Sequence, residues 1–183
     1  SGIAAALYYI VHSTLAAATL FLIADLVRTS RNDLVLSEQP TIAGQPLTAG
    51  LFFAAAIAMA GLPPLSGFLG KLLVLDAAYT SDLMVWVWSV VLISSLVSVV
   101  GFARAGSVLF WKSHSMSAFE EGNELPRPHA LSYAAVGGLL ALLIAHTVFA
   151  GPVHRYTTGI ADGLFSAEPY IQTVIETPGK LSK

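Results

Sequence analysis

Three stretches of the chain carry no Asp, Glu, Lys or Arg: Ile3 to Ala24, Leu83 to Ala103 and Ala130 to Ala150. Each is at or near the ~20 residues needed to cross a hydrocarbon core of ~30 Å at 1.5 Å per residue. With their flanks they predict membrane spans over about 2–27, 83–111 and 130–150. The first is apolar except for His12, Ser13, Thr14 and Asp25, and closes on Arg28 and Arg31; a polar loop follows with Pro40, Gly44 and Pro46 as turn residues.

A fourth apolar region, Leu47 to Tyr79, is 33 residues long. As one straight helix it would reach ~50 Å, too long for one span. Its middle reads Gly61-Leu62-Pro63-Pro64. The two prolines lack amide protons, push Leu62 out of helical geometry and leave carbonyls one turn upstream without partners. The pattern therefore predicts two half-helices, about 47–61 and 66–79, forming one discontinuous span. Freed backbone groups cannot face lipid, where each costs several kcal/mol, so the break must be buried in protein or line a hydrated cavity.

Within the third span, Ser94, Ser98, Gly101 and Ala105 fall on one helical face and predict close helix packing there. Gly151-Pro152 is expected to end the fourth span. Residues 1–151 thus read as a transmembrane domain and 152–183 as a C-terminal tail. In the tail, Ile160, Leu164 and Phe165, then Ile171, Val174 and Ile175, fit short amphipathic helices in the interface. The fold class is all-α: a polytopic membrane helical bundle with about four spans.

Composition agrees with this pattern. Hydrophobic residues make up 55% and charged residues 11%, with a mean hydropathy of +0.72, against about 25% charged in soluble domains. The net charge of −2 leaves no basic surface that argues for nucleic acid. The absence of cysteine excludes disulfides and Cys-ligated clusters. No phosphate-binding loop, His-Glu-x-x-His pair or nucleophile triad is evident, so nothing points to hydrolysis, a metal site or a bound cofactor. No start methionine or basic n-region precedes the first apolar run, so that run is not expected to be a secretory signal peptide, and an N-terminal portion is expected to be missing. Arg28, Arg31, Lys112 and Arg127 lie on one side and the 80–82 turn carries none, so the first side is expected to be cytoplasmic and the tail extracytoplasmic. Tyr79, Trp86, Trp88 and Trp111 near span ends agree with a bilayer setting.

Few residues could carry chemistry. Lys71 follows the break by about two turns, with no carboxylate nearby in sequence and the nearest span end about eight residues away. Its ammonium needs a partner or water, and a lysine so placed either exchanges protons or snorkels to a headgroup. His12, midway along the first span, either relays protons or makes a structural hydrogen bond. Ser13, Thr14 and Ser66 could line a cavity, although backbone bonding is the plainer role for Ser13 and Thr14. His146, Asp25 and Arg104, near span ends, read as interface anchors.

The runs Leu51-Phe52-Phe53 and Gly61 through Lys71 resemble the antiporter-like subunits shared by Mrp-type Na⁺/H⁺ antiporters and respiratory complex I. Two further stretches, Leu7 to Leu15 and Arg104 to Trp111, look like the D-type subunits of the Mrp (Pha-type) branch. The resemblance implies a longer subunit of fourteen transmembrane helices in inverted repeats, of which this chain looks like the last four. It implies that Lys71 matches the lysine or glutamate ending a proton path at the broken helix, and that His12 matches a histidine on the central hydrophilic axis. The family's glutamate–lysine pair and its other broken-helix lysine would lie in the N-terminal part. Where some relatives carry a lysine shortly after this histidine, the chain has Ala16, Ala17 and Ala18, so no second protonatable step is expected there.

The leading expectation is a secondary-transporter subunit in the bacterial cell membrane, not an enzyme. It would work with other antiporter subunits and exchange H⁺ for Na⁺ or another monovalent cation such as K⁺ or Li⁺. A proton-pumping subunit of an NADH:quinone oxidoreductase or membrane-bound hydrogenase, and a structural membrane scaffold, stand as alternatives.

Overall fold

The computed structural model describes residues 2–31, 35–37, 45–112 and 128–165. The loop residues Pro40 and Gly44, the acidic loop of Glu120, Glu121 and Glu124 with Arg127, and the tail beyond 165 lie outside them. Among the described residues all regular structure is helical: α1 (Gly2–Arg31), α2 (Gln45–Ala60), α3 (Ser66–Ala78), α4 (Met84–Gly106), α5 (Ala130–Val148) and α6 (Ala150–Phe165), with a π-helical turn, Ser107–Trp111, extending α4. The helices α1, α4 with its extension, and α5 are each long and apolar enough to cross a membrane, while α2 is apolar but shorter. Helices α2 and α3 meet at the break, and the chain is a multi-pass membrane protein.

Helix α1 is the axis of the bundle, in contact with α2, α3, α5 and α6. Its buried residues, Ala4, Tyr8, His12, Ala16, Thr19, Ile23, Leu26 and Ser30, recur every three or four positions, which is one stripe of a 3.6-residue helix. In its last third, Ile23, Leu26 and Val27 pack with Phe52, Ala55 and Ala56 of α2, Phe110 and Val136 into the main apolar core. Ala16, Ala58 and Leu143 form a smaller cluster next to the break.

Polar contacts fasten the helix ends. Side chains from two other helices reach the carbonyls of the π turn that ends α4. Arg31 donates to the Leu109 carbonyl and, at 2.9 Å, to that of Ser37, while Gln45 Nε2 donates to the Phe110 carbonyl at 2.9 Å. Thr48 and Tyr133 share a 3.0 Å hydrogen bond that brings in the start of α5. The end of α1 and the starts of α2 and α5 therefore meet the end of α4, together with Arg28, Arg31 and Lys112. At the opposite end, Trp88 Nε1 donates to the Leu75 carbonyl at 3.1 Å and ties α3 to α4.

Three expectations need correction. The small-residue stripe of α4 packs within the chain only at its Ala105 end: Ser94 and Gly101 are exposed, and a side chain on Gly101 would meet nothing within 4 Å. The contact face lies to one side of it, where Ser95, Phe102, Ala105 and Gly106 turn inward; a Cβ on Gly106 would come within 2.7 Å of Phe53. Small residues permit close approach without dictating which edge is used. Second, α5 ends at Val148 and the turn falls on Phe149. Gly151 and Pro152 sit in the first turn of α6, where a missing amide proton costs nothing. Third, α6 runs unbroken to Phe165, packs on α1 and buries Thr157 and Ala161, leaving Ile160 and Leu164 exposed.

Candidate functional site at the helix break

The break begins where α2 runs into residues that cannot donate. Gly61 takes a φ of 72°, a left-handed conformation that suits glycine. Its amide reaches back to the Ala58 carbonyl and the Leu62 amide to that of Ile57, both at 3.1 Å. This pair of bonds is a Schellman cap, and it closes the helix end with backbone alone. The next carbonyls, of Met59 and Ala60, would ordinarily accept from residues 63 and 64, which are prolines. Ala60 finds its donor elsewhere: Lys71 Nζ donates to its carbonyl oxygen at 2.6 Å.

Lys71 reaches that oxygen because side chains on a helix lean toward its N-terminus. From the second turn of α3 the long stem runs back to the break, and its charge meets the negative end of the α2 dipole. A second donation goes to Ser95 Oγ of α4 at 2.7 Å. The Ser95 hydroxyl in turn donates to the Val91 carbonyl at 2.6 Å, leaving its lone pairs for the ammonium. Half-buried Lys71 thus bridges three helices through neutral oxygens. Among the described residues the ion pair is Arg28–Asp25, on the exposed side of α1, and no carboxylate is bonded to Lys71.

His12 is buried to 1% exposure and Ser66 to 0%. Nδ1 of His12 and Oγ of Ser66, the first residue of α3, are hydrogen-bonded at 2.9 Å. On the other edge of the ring, Nε2 lies beside the Ala58 carbonyl without a hydrogen bond of ordinary geometry. Two glycines make this closeness possible. A Cβ on Gly67 would strike the Ala58 carbonyl oxygen and stand 2.6 Å from His12 Nε2, and one on Gly70 would stand 2.8 Å from the Tyr9 ring. Glycines three residues apart on α3 therefore let the half-helix lie directly against α1.

The break thus unites Gly61, Pro63, Pro64, Ser66, Lys71 and His12. It does not include Ser13 and Thr14. Both donate to the Ile10 carbonyl, at 3.1 and 2.8 Å, Thr14 from an exposed position on α1. Asp25 pairs with Arg28 at 2.8 Å on the surface, and Arg104 is exposed. His146 departs from the expected interface position: it is 7% exposed and stacks on Tyr8, ring centroids 4.4 Å apart. Ser95, Gly67 and Gly70 escaped the sequence reading of the site. The glycine spacing was a usable signal, whereas one serine beside Ser94 in an apolar helix carries none.

The arrangement has a definite chemical capacity. A primary amine held by a backbone carbonyl and a hydroxyl, one helix from a buried imidazole, can hold and pass a proton, since each partner is neutral and none locks the charge in place.

Three relatives resemble the chain over nearly its whole length. The D-type subunit of a Na⁺/H⁺ antiporter of Alkalihalophilus pseudofirmus is 28% identical over 95% of this chain and 34% of its own. Its counterpart from a Na⁺/H⁺ antiporter of Bacillus subtilis is 29% identical over 96% and 35%, and the D-type subunit of a probable K⁺/H⁺ antiporter of Rhizobium meliloti is 29% identical over 96% and 37%. The chain thus spans about a third of the length of these relatives. Residues 1–99, which hold His12, the whole break, Lys71 and Ser95, match the family described as NADH:quinone oxidoreductase/Mrp antiporter, transmembrane, and the chain belongs to that family.

Proposed function

We propose that the chain serves in a subunit of a multisubunit monovalent cation/proton antiporter, a secondary transporter and not an enzyme. Lys71 and His12 carry protons in exchange for Na⁺ or another monovalent cation. The observation that carries this reading is the Lys71 ammonium on the carbonyl released by Pro64, inside the bundle and without a carboxylate partner among the described residues. The relatives' names add support, since all three are cation/H⁺ antiporter subunits. Other subunits of such a complex are the partners, and the cell membrane is the location. The end bearing Arg28, Arg31 and Lys112 faces the cytoplasm, which puts α6 on the extracytoplasmic side.

The test is Lys71→Ala in the full-length subunit within the assembled complex, with cation-driven dissipation of a pH gradient measured in everted vesicles. A positioned proton-transfer group contributes about 100-fold or more, so antiport falls by at least that factor while assembly is unchanged. Wild-type antiport from an assembled Lys71→Ala complex refutes the reading.

A further inference from the structure

The bundle buries more unpartnered polar atoms than the break explains. Tyr8 is 0% exposed and His146 7%, yet neither Tyr8 Oη nor His146 Nε2 has a hydrogen-bond partner among the described residues, and the same holds for His12 Nε2. A buried polar group left unpaired costs about 1–3 kcal/mol, and more in an apolar surround. Three such atoms within one cluster cost too much to be an accident of packing.

Their placement is linear. His12 and Tyr8 are one turn apart on the buried stripe of α1, so their side chains stack along one face. His146 of α5 lies flat on the Tyr8 ring at 4.4 Å and 27°. Beyond Tyr8 opens a groove of about 340 Å³ between α1, α3 and the start of α6. Asp76 and His154 are its polar side chains among leucines of α3, with buried Tyr8 at its edge, and His154 Nδ1 is itself a buried atom without a partner among the described residues. Asp76 is exposed two residues before α3 ends, which puts the groove at the end of the bundle opposite Arg31.

We infer that Tyr8 and His146 form a hydrated proton branch leading from the helix break to the groove at Asp76 and His154, with His146 as the proton-carrying side chain. This rests on the proposed proton role of the break. Water satisfies the buried Tyr8 hydroxyl and imidazole nitrogens and links them to His12 on one side and the groove on the other. His146 takes one proton from water on Nε2, becomes imidazolium, and gives that proton from Nε2 to the water that leads to the groove, so that the ring regains its starting tautomer. The ring returns to neutral and one proton has moved. Tyr8 holds the ring flat between the two sides and keeps its own hydroxyl proton. Asp76 at the mouth, a carboxylate in water, draws the released proton outward.

The experiment uses the full-length subunit in its assembled complex. His146→Gln keeps a polar group of similar reach but cannot take up a proton, and His146→Phe keeps the stack on Tyr8. Both lower antiport by about 100-fold with assembly intact. His146→Cys gives a second readout, because this chain contains no cysteine. Its thiolate reacts with a water-soluble methanethiosulfonate reagent only where water reaches, and labelling is read on the peptide carrying position 146. The branch predicts labelling. Wild-type antiport from His146→Gln overturns the branch whatever Lys71→Ala does. So does loss of transport in both variants with position 146 unlabelled, which marks a packing role. Wild-type antiport from Lys71→Ala, with His146→Gln inactive and position 146 labelled, refutes the reading of Lys71 and leaves the branch standing.

Discussion

Gly67→Ala is the sharpest test of how the site is built, because helix propensity and packing push it in opposite directions. In an open helix the change stabilises by about 1 kcal/mol. At Gly67 the new methyl meets the Ala58 carbonyl oxygen, a backbone atom held in the Schellman cap that cannot rotate aside, and stands 2.6 Å from His12 Nε2. Forcing a methyl into a packed interior costs about 1–3 kcal/mol, toward the top of that range where the neighbour is backbone. Displacing the imidazole also loosens its bond to Ser66, worth about 1 kcal/mol. The balance is a net destabilisation of about 2 kcal/mol, roughly 30-fold in the folded ratio. Gly138→Ala on α5 is the matched control, since its methyl meets nothing within 4 Å among the described residues.

The assay is thermal unfolding of the detergent-solubilised complex, followed by loss of a monodisperse peak, with antiport measured on the same preparations. Gly67→Ala melts a few degrees below wild type and transports less, whereas Gly138→Ala melts at or above it. If Gly67→Ala were as stable as Gly138→Ala, α3 would not be seated on the α2 terminus and the account of the site would be wrong.

Two further substitutions probe the same structure. Ser66→Ala leaves the buried Nδ1 of His12 without its hydroxyl and destabilises by about 1–3 kcal/mol, visible as an earlier melt; an unchanged midpoint would show that the 2.9 Å contact carries no weight. Gly61→Ala forces a left-handed residue to carry a Cβ, at about 1–2 kcal/mol, and crowds the Lys71 tip at 2.7 Å, so both melting and antiport fall; retention of both would refute the glycine cap.

How much of this could be read from sequence differs by element. The break was legible because it follows from a missing atom: prolines at 63 and 64 have no amide proton, so the carbonyls of Met59 and Ala60 had to look elsewhere. The half-helices expected over 47–61 and 66–79 fall at Gln45–Ala60 and Ser66–Ala78. That Lys71 answers Ala60 was not legible, because the direction of a side chain depends on how α3 turns back on α2. On α4 the reading failed for a different reason. In a helix that is apolar all round, periodicity names several possible faces, and the buried one is chosen by its neighbours. Ser95 was hidden by the same ambiguity. His146 was misjudged because distance from a span end was taken as depth, whereas α6 folds back on α1 and Tyr8 covers the ring.

The glycine cap at the end of α2 has a mechanical consequence. Ile57 and Ala58 are served by backbone amides, so the helix terminus keeps its shape from its own chain. Of the two carbonyls the prolines leave without amide donors, Met59 and Ala60, Lys71 serves that of Ala60. When the amine swings away, one acceptor is exposed and nothing unravels. The joint therefore separates its hinge from its latch: the cap is closed by backbone bonds, while the lysine contact is made by a side chain that takes no part in that cap.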